Sequence, residues 1–363
     1  MSIEMQKYDV LIVGTSPLAI TEAVYQKVAG NSVLSIDNRS IIGGAWTTVS
    51  HEGIPTVEIG CHIWEVEKVA TAFLTNFFQL NLQPLTPSPR LIKKGMSIPY
   101  DLKMNLSTGK YVVSRLIRFQ FRLLRDGMTS PARRFVLFPS KYLYPKGGAL
   151  ELHERVLEKV EEHQLETRLN THIDEIILSK EGCIVKLKDG DQDISSSKIV
   201  LTSLSSIARI QFEDGTEVSP KTRQMDYIHL HLLVKGTIPK RFSYHRLMDD
   251  DTIHRVSDMT FQVADEISSN ERLICVGIHG EKYHCSTHEE LLTSIHAKLI
   301  ARKLLSKDSS VQQHGFNVFH SYYTDPDLLT EIEERSNGKI EVLRSTSFTY
   351  AFHTQREKYK SLI

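Results

Sequence analysis

Short apolar runs and stretches of helical periodicity alternate along the first part of the chain. Residues 8–13 (YDVLIV) form an unbroken apolar, β-branched run, the pattern of a strand buried on both faces. Gly14-Thr15-Ser16-Pro17-Leu18-Ala19 follows it. Residues 19–29 then place Ile20, Ala23, Val24 and Val28 at helical spacing until Gly30-Asn31 ends the pattern. A second apolar run, 32–36, stops at Asp37. Strand, glycine turn, helix, strand and acid within about thirty residues is the layout of a dinucleotide-binding βαβ unit.

Further along, the pattern changes. Residues 81–89 (NLQPLTPSP) are too rich in proline for anything but a loop or extended segment. The spacing predicts a helix over 114–125 and a turn at 143–149 that opens a helix over 150–163. Strands are predicted at 171–178, 182–188 and 198–202, with Asp189-Gly190 as a hairpin turn between the last two. Two more are predicted at 225–234 and 273–278. Thr287 and Glu290 are spaced as a capping box for a helix over 289–305. Asp325-Pro326 opens a short acidic helix to 335, a last strand covers 338–343, and the tail 350–362 is helical.

Composition narrows the class. The 363 residues carry 44 Lys+Arg against 44 Asp+Glu, so the formal charge is zero and binding dominated by nucleic-acid phosphates is excluded. With 40% hydrophobic and 24% charged residues the chain is ordinary globular protein, long enough for two domains. Four cysteines are too few and too scattered for a disulfide framework, which points to a reducing compartment. There is no apolar run of spanning length and no basic-then-apolar leader, so a soluble, cytoplasmic protein is expected, with peripheral membrane contact as the variant.

Several residues are placed for chemistry. In a nucleotide turn the first glycine makes the bend, the second admits pyrophosphate, and the third lets helix meet sheet. Gly14 keeps the first role, Ser16 replaces the second and Ala19 is a small third. The helix start at Pro17 would offer N–H groups and positive dipole to a diphosphate. Asp37, followed by Asn38, would accept from ribose hydroxyls. Cys275, His279, His284, Cys285 and His288 crowd together within 275–288 but lack the paired spacing of zinc ligands, so no metal is expected and that stretch has no assigned role. Arg115, Arg118, Arg122 and Arg125 make one basic stripe if helical, extended by Arg133 and Arg134. Such a stripe is a solvated face, or a contact for an anionic membrane surface or an acidic partner. Hydrolase triads and P-loops are not in evidence.

Three stretches resemble the flavin-binding superfamily of amine oxidases, protoporphyrinogen oxidase, phytoene desaturases and UDP-galactopyranose mutase. They are the βαβ unit followed by Ile41-Ile42-Gly43-Gly44-Ala45-Trp46, then Glu58-Ile59-Gly60-Cys61-His62, and Tyr144-Pro145-Lys146-Gly147-Gly148 with its helix. The first fifty residues are also similar to Rab GDP-dissociation inhibitors and Rab escort proteins, which share the fold and work as binding proteins. The resemblance implies an α/β fold with a Rossmann-like FAD/NAD(P)-binding domain (1–65, 145–210 and 335–363) and an interleaved α+β substrate or cap domain (66–144 and 211–334). It implies FAD held by Gly14, Ser16, Pro17, Asp37, Asn38, Gly43, Gly44, Trp46, Gly60, His62 and Arg344. Tyr244, Arg255 and Tyr350 are the substrate-side candidates, for a small-molecule substrate.

The implied activity is that of an FAD-dependent oxidoreductase of amine-oxidase-like type, moving a hydride from an organic substrate to flavin. Two alternatives stand beside it. One is a non-catalytic binding or accessory protein that keeps the fold but binds flavin weakly or has lost it, motivated by Ser16, by Asp37 where the family favours Glu, and by Leu343 where Gly would precede Arg344. The other is a mutase-like enzyme acting on a sugar nucleotide.

Overall fold

The computed structural model describes residues 5–60, 64–65, 68–87, 89–121, 142–188, 192–202, 204–220, 223–237, 242–323, 325–343 and 348–363. Two large sheets organise them. The first has nine strands, and its centre is parallel: Glu166–Arg168, Val33–Ile36, Gln6–Val13, Ile194–Leu201 and Ile340–Val342 run side by side. The hairpin Ile173–Ser179 and Gly182–Leu187 extends it antiparallel, and Ile207–Gln211 and Glu217–Val218 close that edge. Parallel strands need cover on both faces, and both are covered. One core packs the sheet against the helices Pro17–Val28, Lys68–Phe77 and Gly148–Glu162, with Phe352 and Tyr359 of the C-terminal helices. The other, around Leu11, Val13 and Leu34, is sealed by Ile332 of the helix Pro326–Arg335.

The second sheet has seven strands, in the order Ser310–Tyr323, Arg223–Lys235, Glu271–Ile278, Ile253–Asp258, Tyr244–Leu247, Arg90–Lys93 and Met96–Pro99. All pairs are antiparallel except Tyr244–Leu247 with Arg90–Lys93. Its long strands alternate, with register shifts at Leu233/Val234 and Ile253/Arg255. Ile228, Leu230, Leu232 and Val234 face one way, onto the helix His288–Ala301 through Leu291, Ile295 and Leu299. Leu233, Leu273, Cys275 and Tyr244 face the other way and pack on Ile54 and Val57 of the hairpin Thr48–His51 and Ile54–Glu58. That hairpin lies between the second sheet and the nucleotide unit, and Arg39 of the nucleotide unit reaches Phe319 and His320 of the strand Ser310–Tyr323.

Most predicted elements appear within a few residues of their expected bounds. The capping box of Thr287 and Glu290 is formed, with each side chain answering the other's backbone. One helix is a correction. In place of 114–125 the helix spans Tyr100–Ile117. Phe119 takes a left-handed φ of 51°, and the bonds from Phe119 N to Leu116 O and from Gln120 N to Arg115 O close a Schellman-type end. Arg115 therefore sits in the last turn and Arg118 at the C-cap, so the two are not the middle of a longer stripe. Arg122, Arg125, Arg133 and Arg134 lie outside the described residues, as does the turn Asp189-Gly190. The strand Ser310–Tyr323, which forms an edge of the second sheet along Arg223–Lys235, was not expected. Among the described residues no helix is long and apolar enough to cross a membrane.

Candidate functional site

The nucleotide cleft is assembled from the ends of parallel strands, where an α/β sheet presents ligands to its helices. Gly14 ends the first strand with φ +116°. A Cβ there would sit 2.1 Å from Thr202 Oγ1, so only glycine lets the turn lie this close to the strand end Leu201-Thr202. Ser16 caps the helix Pro17–Val28, its Oγ accepting from Ala19 N at 3.3 Å, and Pro17 takes the first helical position. The N–H groups of Ser16 and Leu18 lie at the open start of that helix, beyond the reach of any helical carbonyl. Across from them the chain folds back: Gly43 N donates to Thr15 O at 3.0 Å. Gly44 approaches so closely that a Cβ on it would be 3.1 Å from Ser16 Cβ.

The cavity enclosed here is about 160 Å³, lined among others by Gly14, Ser16, Asp37, Asn38, Gly44 and Thr202. Asp37, the acid at the second strand's end, is turned into this turn. Its Oδ2 accepts from both Thr15 N (2.9 Å) and Thr15 Oγ1 (2.7 Å), and its Oδ1 accepts from Arg39 N at 3.0 Å. A carboxylate offers about four acceptor positions, so Asp37 keeps room for one more donor on Oδ1.

The remaining candidates fall into three groups. Trp46 is buried in the core among the helices and supports the glycine segment from behind. Gly60 is buried next to Ile59, whose carbonyl accepts from Asn317 Nδ2 of the second sheet at 3.3 Å. His62 and Arg344 lie outside the described residues. Tyr350 is in the helix Phe348–Thr354, and its side chain is not described. The second and third sequence stretches do meet: the Tyr144 hydroxyl donates to the buried carboxylate of Glu58. Tyr244 and Arg255 are not brought to this cavity: they share one face of the second sheet, Tyr244 within its buried apolar patch and Arg255 beside His229.

The structure also shows residues that the sequence reading passed over. Thr15 and Thr202 hold the turn. Arg39 stands 4.6 Å over the Phe319 ring, with its Nη2 3.5 Å from the His320 carbonyl, and so ties the nucleotide unit to the second sheet. His229 and His231 alternate with Ile228 and Leu230 in MDYIHLHLLV, a period-two signal that places both on one face of the second sheet. Burial, with His51 beside it, pushes His231 down to about 3, so this ring stays neutral. Among the described residues no cluster of His, Cys, Asp and Glu could hold a metal.

Comparison with known proteins extends this picture. Residues 100–256 match the family model of flavin containing amine oxidoreductases. A putrescine oxidase bound to putrescine superposes with a TM-score of 0.65 at 17% identity, covering 99% of both chains. A reduced UDP-galactopyranose mutase gives 0.69 at 14% identity, covering 98% of this chain and 93% of its own. An Exiguobacterium protein assigned as a protoporphyrinogen oxidase gives 0.66 at 12%, covering 99% of both. No curated protein matches the sequence. The chain thus has the fold of the amine-oxidase-like flavoproteins, a Rossmann-like nucleotide unit joined to a largely antiparallel sheet. Its likeness to the flavin-dependent amine oxidase, protoporphyrinogen oxidase and UDP-galactopyranose mutase superfamily is shown by the family match and by that fold.

Proposed function

We propose that the chain binds FAD in this cleft and works as a flavin-dependent oxidoreductase of amine-oxidase-like type, moving a hydride from an organic substrate. The observation that carries the reading is the meeting of Gly14, Ser16 and the open helix start with Gly43-Gly44 around one cavity that Asp37 and Asn38 also line. The donor set suits a diphosphate: the Ser16 and Leu18 N–H groups point from a helix N-terminus, and both facing glycines leave the backbone bare. Asp37 Oδ1 would accept one ribose hydroxyl, and Arg39 would close the cleft from the Phe319 side. When bound, flavin would supply the hydride acceptor, while the protein positions substrate and excludes water.

A second reading has a specific observation in its favour. Three of the acceptor positions on Asp37 are spent within the protein, and the cavity at the glycine turn is about 160 Å³, below the roughly 300–1,000 Å³ of small-molecule pockets. A binding protein that keeps the fold without flavin would look like this. The visible spectrum of the purified protein separates the two. Flavin bands, with FAD released on denaturation, are expected. Ser16→Asp, which preserves a good N-cap but sets a negative charge against the diphosphate, is expected to abolish uptake. A colourless wild-type protein that refuses added FAD would sink the enzyme reading.

A further inference from the structure

The helix Tyr100–Ile117 turns its apolar side away from the protein. At about 100° per residue, Leu102, Leu106, Val113, Leu116 and Ile117 fall within one stripe about 100° wide. All five are exposed, Leu106 at 65% and Ile117 at 72%. Thr108, on the opposite side of the helix, is buried. A surface helix normally buries its apolar stripe and shows solvent its polar face. This one is laid down the other way. Beyond its Schellman-type end the rings of Phe119 and Phe121 are exposed as well, Phe119 at 80%, with their centroids 6.3 Å apart.

The patch is a concentration, not a scatter. Of the fourteen large hydrophobic side chains exposed among the described residues, eight lie between Met96 and Phe121, and the other six are spread from Met5 to Ile363. Single exposed apolar residues are ordinary, whereas a contiguous group marks an interaction surface. Charge singles out the partner. After Asp101 in the first turn, residues 102–125 contain six cations and no Asp or Glu. Lys103 and Lys110 are exposed along one border of the stripe, and Arg118 is exposed at the C-cap. Arg115, on the other side of the helix, lies over the Tyr111 ring and bonds Gln120. Burial, and then the nearby charges of Arg246 and Lys93, push Lys103 down, so the cationic character extends beyond the helix itself.

We propose that this helix lies flat on an anionic phospholipid bilayer, its Leu, Val and Ile stripe entering the acyl boundary while Lys103, Lys110 and Arg118 meet headgroup phosphates. The proposal is independent of the flavin reading. The stripe runs from the first turn of the helix to the last, the shape that a planar interface accepts. The stems of Lys103 and Lys110 stay with the stripe's border while their ammonium groups rise to headgroup level. The two exposed phenylalanines extend the apolar surface at the helix's end. Among the described residues no helix is long and apolar enough to cross a membrane. Apolar on one side only, this helix is built to lie on a bilayer and not to span it.

Vesicle flotation with the full chain tests the assignment. The vesicles are phosphatidylcholine alone, or phosphatidylcholine mixed equally with phosphatidylglycerol, at low and at high salt. Binding to the mixed vesicles is expected, weakened by salt and about tenfold or more weaker on pure phosphatidylcholine. Leu106→Gln with Ile117→Gln should lower the affinity about tenfold or more at either salt concentration. Lys103→Gln with Lys110→Gln should lower it about tenfold at low salt and much less at high salt. Both pairs replace exposed side chains, and thermal melting should show them folded like the wild type. No binding to the mixed vesicles would overturn the proposal, and so would binding that Leu106→Gln with Ile117→Gln leaves unchanged. Equally tight binding to soluble polyglutamate would overturn it in favour of an acidic protein. A homodimer in sedimentation velocity that the same apolar pair of substitutions dissociates would overturn it in favour of a second copy of the chain.

Discussion

Two places in the molecule concentrate charge, and they treat it in opposite ways. At the back of the nucleotide unit, Glu22 is fully buried on the helix Pro17–Val28 and is answered from every side. Lys358 Nζ is 2.9 Å away, the Tyr359 hydroxyl donates to Oε2 at 2.8 Å, and Gln26 Nε2 donates to Oε1 at 2.7 Å. Lys358 also reaches Glu341 at 2.6 Å, and Lys198 reaches the other oxygen of Glu341 at the same distance. Burial alone would lower the Lys358 ammonium, but the two carboxylates outweigh it and raise its pKa. In the second sheet, by contrast, Arg246 and Arg255 stand directly opposite each other, beside a His254 ring that burial above all keeps neutral. A charge compensated within the fold is a fastening, here of the C-terminal helices onto the first βαβ unit. Like charges set directly opposite each other oppose the pairing of their strands instead.

The comparison breaks most sharply at the fastening. Removing one member of a buried pair strands the other, at a cost of about 3–5 kcal/mol. Glu22→Ala is therefore expected to lower the urea midpoint more than any other single change described here. The paired replacement of Glu22→Leu with Lys358→Met should recover most of that loss, since a buried ion pair and an apolar pair of similar volume are often near equal. If the double variant is no more stable than Glu22→Ala, the network is not a closed unit.

Next in size is Asp37. Asp37→Ala leaves Thr15 N–H, the Thr15 hydroxyl and Arg39 N–H without their acceptor, which should cost about 1–3 kcal/mol for each buried donor left unanswered. Measured by denaturant unfolding of flavin-free protein, this loss separates a carboxylate that holds the turn together from one kept only for ribose. No loss of stability would mean that the internal bonds to Thr15 contribute little.

The fold was legible wherever a local pattern was strong. The run YDVLIV, the glycine turn and the acid at 37 announced the βαβ unit, and Thr287 with Glu290 announced its helix start, because these signals lie within a few residues of each other. The strand Ser310–Tyr323 escaped notice because its sequence, SVQQHGFNVFHSYY, is mostly polar and has no apolar run. Its strand character comes from pairing along nearly the whole length of Arg223–Lys235. The helix Tyr100–Ile117 was misplaced because its first turns hold Asn105, Ser107, Thr108 and Gly109, residues of poor helix propensity that tertiary packing overrides. The site was half legible for the same reason. Its nucleotide side is one contiguous motif, whereas the pair Arg246 and Arg255 is made by register between two strands.

The smallest expected effect sharpens the comparison from the side of the second sheet. His254 has its folded pKa depressed to about 3, against about 6.5 for an ordinary histidine. The unfolded chain therefore binds a proton that the native state refuses, and this group's contribution to stability is present above about pH 6.5 and is lost as the pH falls toward 3. Burial is the larger cause of the depression and the neighbouring cations the smaller. Arg246→Gln should accordingly raise the His254 pKa without restoring it to 6.5, and flatten the acid side of the stability profile slightly. At neutral pH the same variant should change stability by no more than about 0.5 kcal/mol, as an exposed substitution does, or raise it by relieving the repulsion with Arg255. Proton NMR titration of the His254 ring in wild-type and variant protein reads the shift directly. A pKa unmoved by Arg246→Gln would mean that solvent already screens the pair, and the contrast with the Glu22 network would then be one of burial rather than of charge balance.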